Sequence, residues 1–396
     1  MPEPSGQLLN VTFVIPYFYP AWQYGGQPRS AFELARALVK RGHHVKVLTT
    51  DSAGGKRLSA GRKDVEGVEV VYYRNTSNWL AFHQRIFWPA PMFHELHREL
   101  SGSDLVHIHE LRSTTSVFAY RALRKLGLPY VLSAHGGLRH LGRRGIKVLF
   151  DALWGMKILR DAAAIIAISP VEEADARLLN VDQGRIRRLP NMVSLSDYEP
   201  LPSRGLFRAQ WGLNSNKVLL FLGRLHWIKG ADLLLRAFKK LCVSSTNVRL
   251  VIAGPDDGQE AELRSLSRTL GLADGVIFTG FLDQQARLQA FVDADATVIP
   301  SRSEVFAITA LEALMCACPV LISDACGLYP MPSSEQGVRL FTSEDVDDLA
   351  AKLATSIADP SVQASARQGR EFVIAEFAAE KVSRTAESIY LEVCGH

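Results

Sequence analysis

The chain has 396 residues, 47% hydrophobic and 22% charged, an ordinary balance for a folded protein with room for two or three cores. Its net charge of +4 is uneven: residues 1–200 hold 26 Lys and Arg against 18 Asp and Glu, and the remainder 19 against 23. An anionic partner or surface is therefore expected on the first half. No apolar run reaches the length of a membrane helix, and no basic-then-apolar leader opens the chain. No helix-turn-helix, zinc finger or aromatic–basic RNA module is visible, so no nucleic-acid partner is expected. The five cysteines, Cys242, Cys316, Cys318, Cys326 and Cys394, are an odd set that suits free thiols in a reducing compartment. A cytoplasmic location follows. Cys316-Ala317-Cys318 is not a CxxC pair, and no metal site is expected.

Residues 11–15 form an apolar run of strand length, followed by a loop through Gly25-Gly26. Helical spacing begins at residue 30 and runs to 41, and residues 44–50 give the next strand. Strand, Gly-rich loop, helix and strand make a βαβ unit. Gly25-Gly26 lets backbone approach a phosphate or sugar, though a plain turn also fits, and it is not a GxGxxG. Further strands are expected at 68–73, 104–109, 130–134, 162–168 and 185–189, with a helix at 114–126. The aromatic-dense stretch 78–93 suits core packing or an acceptor- or membrane-facing surface. His135, directly after a strand and before Gly136-Gly137, lies where open α/β sheets place ligands; His109 holds a similar position. Residues 139–150, basic and apolar by turns and including His140 and Arg143, suit either an anionic lipid surface or a solvated helix face. Ser169-Pro170 opens a helix.

Residues 190–205 are proline-rich and polar and read as the boundary between two domains. A second sheet then begins, with strands expected at 217–222, 248–254, 276–282, 294–299, 319–323 and 338–341. The loop after 217–222 carries Gly223, Arg224 and Lys229, two cations that suit two phosphates. Asp256-Asp257 reads as a solvated turn, and the loop at Phe281 is placed to meet a nucleotide base through its backbone. Between the strands 294–299 and 319–323 lies a run in which Glu304 and Glu312 bracket a strand-to-helix turn. Open helix N–H groups there favour an anion. Glu304 beside an anion would accept from neutral hydroxyls, and phosphate plus polyol suggests a sugar nucleotide. The last helices are expected at 345–358, 362–374 and 377–393.

These residues resemble a known family, the retaining GT-B glycosyltransferases of family 4 (group 1 type), which includes sucrose synthase and phosphatidylinositol mannosyltransferase. The strongest match is residues 304–323, which resemble the pattern E-G-F-G-x-x-x-x-E-A-M-A-C-G-x-P-V. Gly25-Gly26, His135-Gly136, Pro190-Asn191, Gly223-Arg224 and Lys229-Gly230 support it. The resemblance implies an α/β chain of two facing Rossmann-like domains with a deep cleft. Residues 1–198 would bind the acceptor, 199–375 the nucleotide sugar, and the helix 376–396 would cross back to the first domain. It implies that Glu304 holds hydroxyls of the donor sugar and Glu312 the ribose. Arg224 and Lys229 would hold the diphosphate, with backbone N–H groups of Phe306, Ala307 and Ile308. His135 would sit near the transfer site, and Gly25-Gly26 would face the diphosphate or acceptor. No metal or cofactor is implied, only a nucleoside-diphosphate sugar, most simply UDP-linked. Val305, Ala307 and Cys318 stand where the family has glycine, and 326–330 departs from its Gly-Gly-x-x-Glu stretch.

The implied chemistry is hexosyl transfer. The basic first half points to a lipid-linked saccharide acceptor, in bacterial glycolipid or polysaccharide assembly at the inner face of the membrane. Double displacement needs a carboxylate under the sugar carbon, and the sequence names none, so same-face attack is expected. A nucleotide-sugar epimerase of the same fold, a dehydrogenase and a non-catalytic nucleotide-sugar sensor stay open as alternatives.

Overall fold

The computed structural model of the protein describes residues 7–139, 144–213, 216–243 and 247–395. The chain divides into two compact units, Met1–Met192 with Ala379–His396, and Val193–Ala378. The sequence reading put these divisions at 198/199 and 375/376.

In the first unit the strands are β1 (Asn10–Val14), β2 (His44–Thr50), β3 (Ser52–Ala53), β4 (Lys56–Arg57), β5 (Gly61–Val65), β6 (Val68–Tyr73), β7 (Leu105–His109), β8 (Tyr130–Ser133), β9 (Ala164–Ala167) and β10 (Ile186–Arg188). Eight of them form one sheet in the order β10-β9-β8-β7-β1-β2-β6-β5, while β3 and β4 pair separately. All neighbours in the sheet are parallel except β5, which runs antiparallel to β6. Parallel strands covered on both faces need apolar residues throughout, which is why β1, β7, β8 and β9 read as continuous runs. Strand β5, Gly-Arg-Lys-Asp-Val, is an exposed edge with no such run and was not expected from the sequence. Along β1 the period of two is visible in the packing. Val11 and Phe13, with Ile15 just beyond, enter one buried cluster, and Val14 enters the other. The helix after β1 spans Gly26–Lys40 and so starts four residues before the expected position. Pro28 falls in its first turn, where a missing N–H is not needed.

The helix Ala379–Cys394 belongs to this first core. Its Val382, Ala386, Ile389 and Tyr390 lie in the same buried cluster as Val11, Phe13 and Leu38. Glu387 fastens it: its carboxylate accepts from Arg41 Nε at 3.0 Å and lies 3.0 Å from His43 Nε2. Leu9 N–H donates to His43 Nδ1 (3.2 Å), so Nε2 carries the ring proton and donates to Glu387.

The second unit holds β11 (Lys217–Leu222), β12 (Val248–Ala253), β13 (Val276–Gly280), β14 (Ala296–Ile299), β15 (Val320–Ser323) and β16 (Val338–Phe341). Their order is β13-β12-β11-β14-β15-β16, all parallel. Helices Ala231–Leu241 and Val346–Ala358 cover one face through Leu234, Leu235, Phe238, Leu349 and Leu353. Each sheet reverses its winding once, between β1 and β7 in the first unit and between β11 and β14 in the second. Ligands of open α/β sheets sit at the carboxyl ends of strands at such a reversal.

Removing Glu387 leaves the Arg41 cation, 11% exposed, without its carboxylate. Glu387→Ala is expected to cost the first unit about 3 kcal/mol, and Glu387→Gln less, measured by urea unfolding followed in that unit. An unchanged midpoint in the Ala variant would overturn this anchoring role.

Candidate active site

In the second unit the reversal brings together the loop after β11 and the turn after β14. Gly230 has φ +71°, and a Cβ on it would run into the Pro300 carbonyl. Only glycine lets the two loops come this close. Arg302 locks them. Its guanidinium is bidentate on Asp232 (2.8 and 2.7 Å) and also donates to Trp227 O (2.6 Å). Its backbone N–H reaches Ile228 O at 2.8 Å. The outcome is that Lys229 Nζ stands 2.6 Å from Glu304 Oε1, while Ser301 Oγ donates to Glu304 Oε2 at 2.9 Å. The turn at Glu304 is tied in turn to residues 325–327: Gly327 N–H donates to Glu304 O at 2.7 Å.

The other site residues expected in this unit fall out as follows. Gly223 N–H donates to Ala253 O (3.0 Å), but the close approach is made by Gly254, where a Cβ would strike the Gly223 carbonyl. Arg224 pairs with Asp257. Asp256 accepts three backbone N–H groups, from Gly258, Gln259 and Glu260, each at 3.0 Å, and so caps the next helix. The pair read as a solvated turn is thus a helix cap and an arginine partner. His226 Nδ1 accepts from Ile228 N–H at 3.2 Å, which leaves Nε2–H as a donor; burial holds this imidazole below its ordinary value. Phe281 follows β13 and is 54% exposed. The Phe306 ring is buried and packs edge-on to Phe377.

Two sets of groups expected to meet ligand have protein partners in this structure. The N–H groups of Ala307 and Ile308, assigned to an anion, donate to Gly327 O and Phe306 O, both at 3.0 Å. Glu312, assigned to ribose hydroxyls, is 5% exposed and pairs with Arg287 at 3.2 Å. The Cys318 side chain does not narrow the loop, for its thiol turns inward to Thr297 Oγ1 at 3.3 Å.

In the first unit, β7 and β8 end in a histidine stack. His107 and His109 rings lie 4.0 Å apart, and His109 and His135 lie 5.3 Å apart with an 11° tilt. His107 bonds Tyr390 Oη through Nδ1 and Ser133 Oγ through Nε2, both at 2.7 Å. His109 Nδ1 meets His135 Nε2 at 3.0 Å, a contact that needs one ring as donor and one as acceptor. Burial pushes all three imidazoles down, His135 to about 4. The stack is therefore neutral. His135 sits at φ +48°, and the turn behind it is held by Glu172, which accepts from Gly136 N–H (2.7 Å) and Ile168 N–H (3.0 Å). The sequence marked 169–173 only as a helix start, so this support was missed. Gly25, at φ +105°, ends the loop after β1 and precedes Gly26 at the helix start.

The same unit carries a broad apolar surface among its described residues. Trp88, Phe93, Ile146, Leu149 and Leu153 are each 42–68% exposed. Arg121 lies over both Phe93 and Trp154, and Lys157 over Trp154. Of the basic stretch read from sequence, Arg139 pairs with Asp175 at 2.7 Å, and 140–143 lie outside the described residues.

An imidazole held neutral by burial contributes stability above its ordinary 6.5 that is lost as pH falls toward the folded value, about 4 for His135. At about pH 5.5, where a solvated imidazole is mostly charged, 15N spectra are expected to show His107, His109 and His135 neutral. A charged ring among them would contradict the stacked arrangement.

Comparison with known proteins gives the family and the fold. Residues 203–371 match the family model Glycosyl transferases group 1, and residues 24–197 match Glycosyltransferase Family 4. The chain is 30% identical over 418 residues to D-inositol 3-phosphate glycosyltransferase 2 of Catenulispora acidiphila, covering 93% of each chain. Among solved structures it superposes on Anabaena HepE in complex with UDP and glucose, with TM-score 0.76 and 19% identity over 96% of this chain and 98% of that one. It also superposes on the sucrose-phosphate synthase of Thermosynechococcus elongatus, with TM-score 0.77 and 21% identity over 98% and 99%. The chain therefore belongs to the group 1, family 4 glycosyltransferases and is a glycosyltransferase of the GT-B fold.

Proposed function

We propose that the protein moves a hexose, with retention, from a UDP-sugar to a lipid-linked saccharide or polysaccharide precursor, without a metal. The observation that carries this reading is the Lys229–Glu304 pair at the reversal of the second sheet. A diphosphate placed there shares Lys229 with Glu304 and draws on His226 Nε2–H and on Arg224, which exchanges its Asp257 partner for phosphate. As the sugar C1–O bond breaks, these cations and the imidazole N–H stabilise the charge growing on the leaving oxygen. Glu304, steadied by Ser301, accepts from donor-sugar hydroxyls. The departing phosphate oxygen takes the acceptor proton on the same face, and neutral His135 serves the transfer site as a hydrogen-bonding group. UDP is favoured because HepE was solved with UDP-glucose. A lipid-linked acceptor is favoured by the exposed apolar surface of the first unit with Arg121 and Lys157 beside it. No described helix is long and apolar enough to cross a membrane; the contact in this reading is peripheral and cytoplasmic.

Calorimetry of the purified protein with UDP, GDP, ADP and NAD, without added metal, tests the donor assignment. Selective micromolar UDP binding is expected, with turnover falling about a hundredfold or more in Lys229→Ala and in Glu304→Ala while both stay folded. Binding of NAD alone, or normal turnover in both variants, would sink the assignment. Flotation with anionic vesicles is expected to carry the protein in low salt and release it in high salt. Protein that stays behind at every salt concentration would remove the lipid surface from the reading.

A further inference from the structure

The reversal point of the first sheet holds a second polar cluster that the chemistry above does not use. Glu110 follows β7 directly. It sits at φ +79°, a conformation strained for any residue with a side chain. Both neighbours pin it there: its N–H donates to Ser133 O at 2.8 Å, and its carbonyl accepts from Ser116 Oγ at 2.5 Å. From across the reversal come Tyr17 and Gln27, on the segment after β1. Tyr17 Oη donates to Gln27 Oε1 at 2.7 Å. That fixes the amide, with Nε2 left as the remaining donor. Tyr17 stacks on Tyr24 at 4.3 Å, and the Arg85 guanidinium lies 4.7 Å over the Tyr24 ring.

Three atoms of this cluster are buried and find no hydrogen-bond partner among the described residues: Gln27 Nε2, Arg85 Nη1 and Glu110 Oε2. Buried polar atoms left unpaired cost about 1–3 kcal/mol each, so three together on a strained strand end call for a ligand. We propose that Glu110, Gln27 and Arg85 form a subsite for neighbouring hydroxyls of the saccharide acceptor, with Glu110 as its specificity-determining residue. The inference rests on the glycosyl-transfer reading and names the group on the first unit that would take the acceptor. A hydroxyl both donates and accepts, so one hydroxyl satisfies the carboxyl oxygen and the amide N–H together, and a second accepts from Arg85. His135 lies two residues past the adjacent strand β8, so this subsite and the histidine stack share one sheet edge.

The carboxyl's protonation suits the role. Burial pushes Glu110 up to about 7, against the pull of Arg85, Tyr17, Gln27 and Lys147. Near neutral pH it is therefore present both as a hydroxyl acceptor and as a donor to an ether or hydroxyl oxygen.

The test is 13C spectroscopy of the intact protein labelled at glutamate Cδ, with the Glu110 signal assigned by its loss in Glu110→Gln. Methyl glucoside, methyl galactoside, methyl mannoside and myo-inositol serve as probes. At least one is expected to shift the Glu110 signal saturably, and Gln27→Ala is expected to weaken that probe about tenfold. UDP calorimetry on the same samples separates the two levels of inference. If UDP binds while Glu110 ignores every polyol, or if Gln27→Ala changes nothing, the subsite is overturned and the transferase reading stands. If no nucleotide binds, the transferase reading itself fails.

Discussion

The Pro300 carbonyl occupies the space that a side chain on residue 230 would need, and residue 230 is in the left-handed region. This steric condition lets the loop after β11 and the turn after β14 pack as one piece. Arg302 then closes them with a bidentate bond to Asp232 and donates to the carbonyl of Trp227. Lys229 and Glu304 come from segments 75 residues apart. They are nevertheless fixed against each other by backbone contacts, one guanidinium and the Ser301 hydroxyl. Ordering two flexible side chains before substrate arrives lowers the entropic cost of binding. The same pairing tempers the site's charge, because each cation expected to meet diphosphate, Arg224 and Lys229, already faces a carboxylate.

The first unit solves a different problem. Its sheet edge carries buried groups of reduced charge: three stacked neutral imidazoles and two glutamates, Glu110 and Glu172, that burial raises to about 7. The two carboxyls serve opposite ends. Glu172 spends both oxygens on backbone N–H groups and holds the His135 turn, whereas Glu110 keeps Oε2 unpaired. A low-charge edge of this kind is suited to recognising hydroxyls, as the second unit's cationic loops are suited to phosphate.

Much of this was legible in the sequence because it depends on patterns that burial enforces. Strands covered on both faces must be apolar throughout, so β1, β8, β9 and β11 to β15 were readable, while polar edge strand β5 was not. Lys229 and Glu304 were legible as strand-end residues, but their direct contact depends on the crossover order, which no local spacing reveals. Asp257 and Arg302 lie in turns, where a charged residue is ordinary, and only the fold gives them partners. Gly223 drew notice in place of Gly254, whose close approach is made across two strands. A helix start in isolation has open N–H groups, whereas here those of Ala307 and Ile308 meet nearby carbonyls, Gly327 O among them, which no local spacing reveals. Glu110 was passed over since nothing local marks a glutamate after a strand as strained or unpaired.

Tyr390 is wholly buried and bonded to His107, and it shares a core with β1 from the opposite end of the chain. During synthesis the ribosome therefore releases β1 and its parallel partners long before the helix that seals them. All of residues 193–378 emerges in the interval, and that unit contains its whole sheet. The first unit, though translated first, is the one that is completed last. Until the helix arrives, the apolar face of β1 and the polar edges of His107, Arg41 and His43 lack their cover. A released chain that ends before residue 379 would thus hold every residue of the second unit and an unfinished first one.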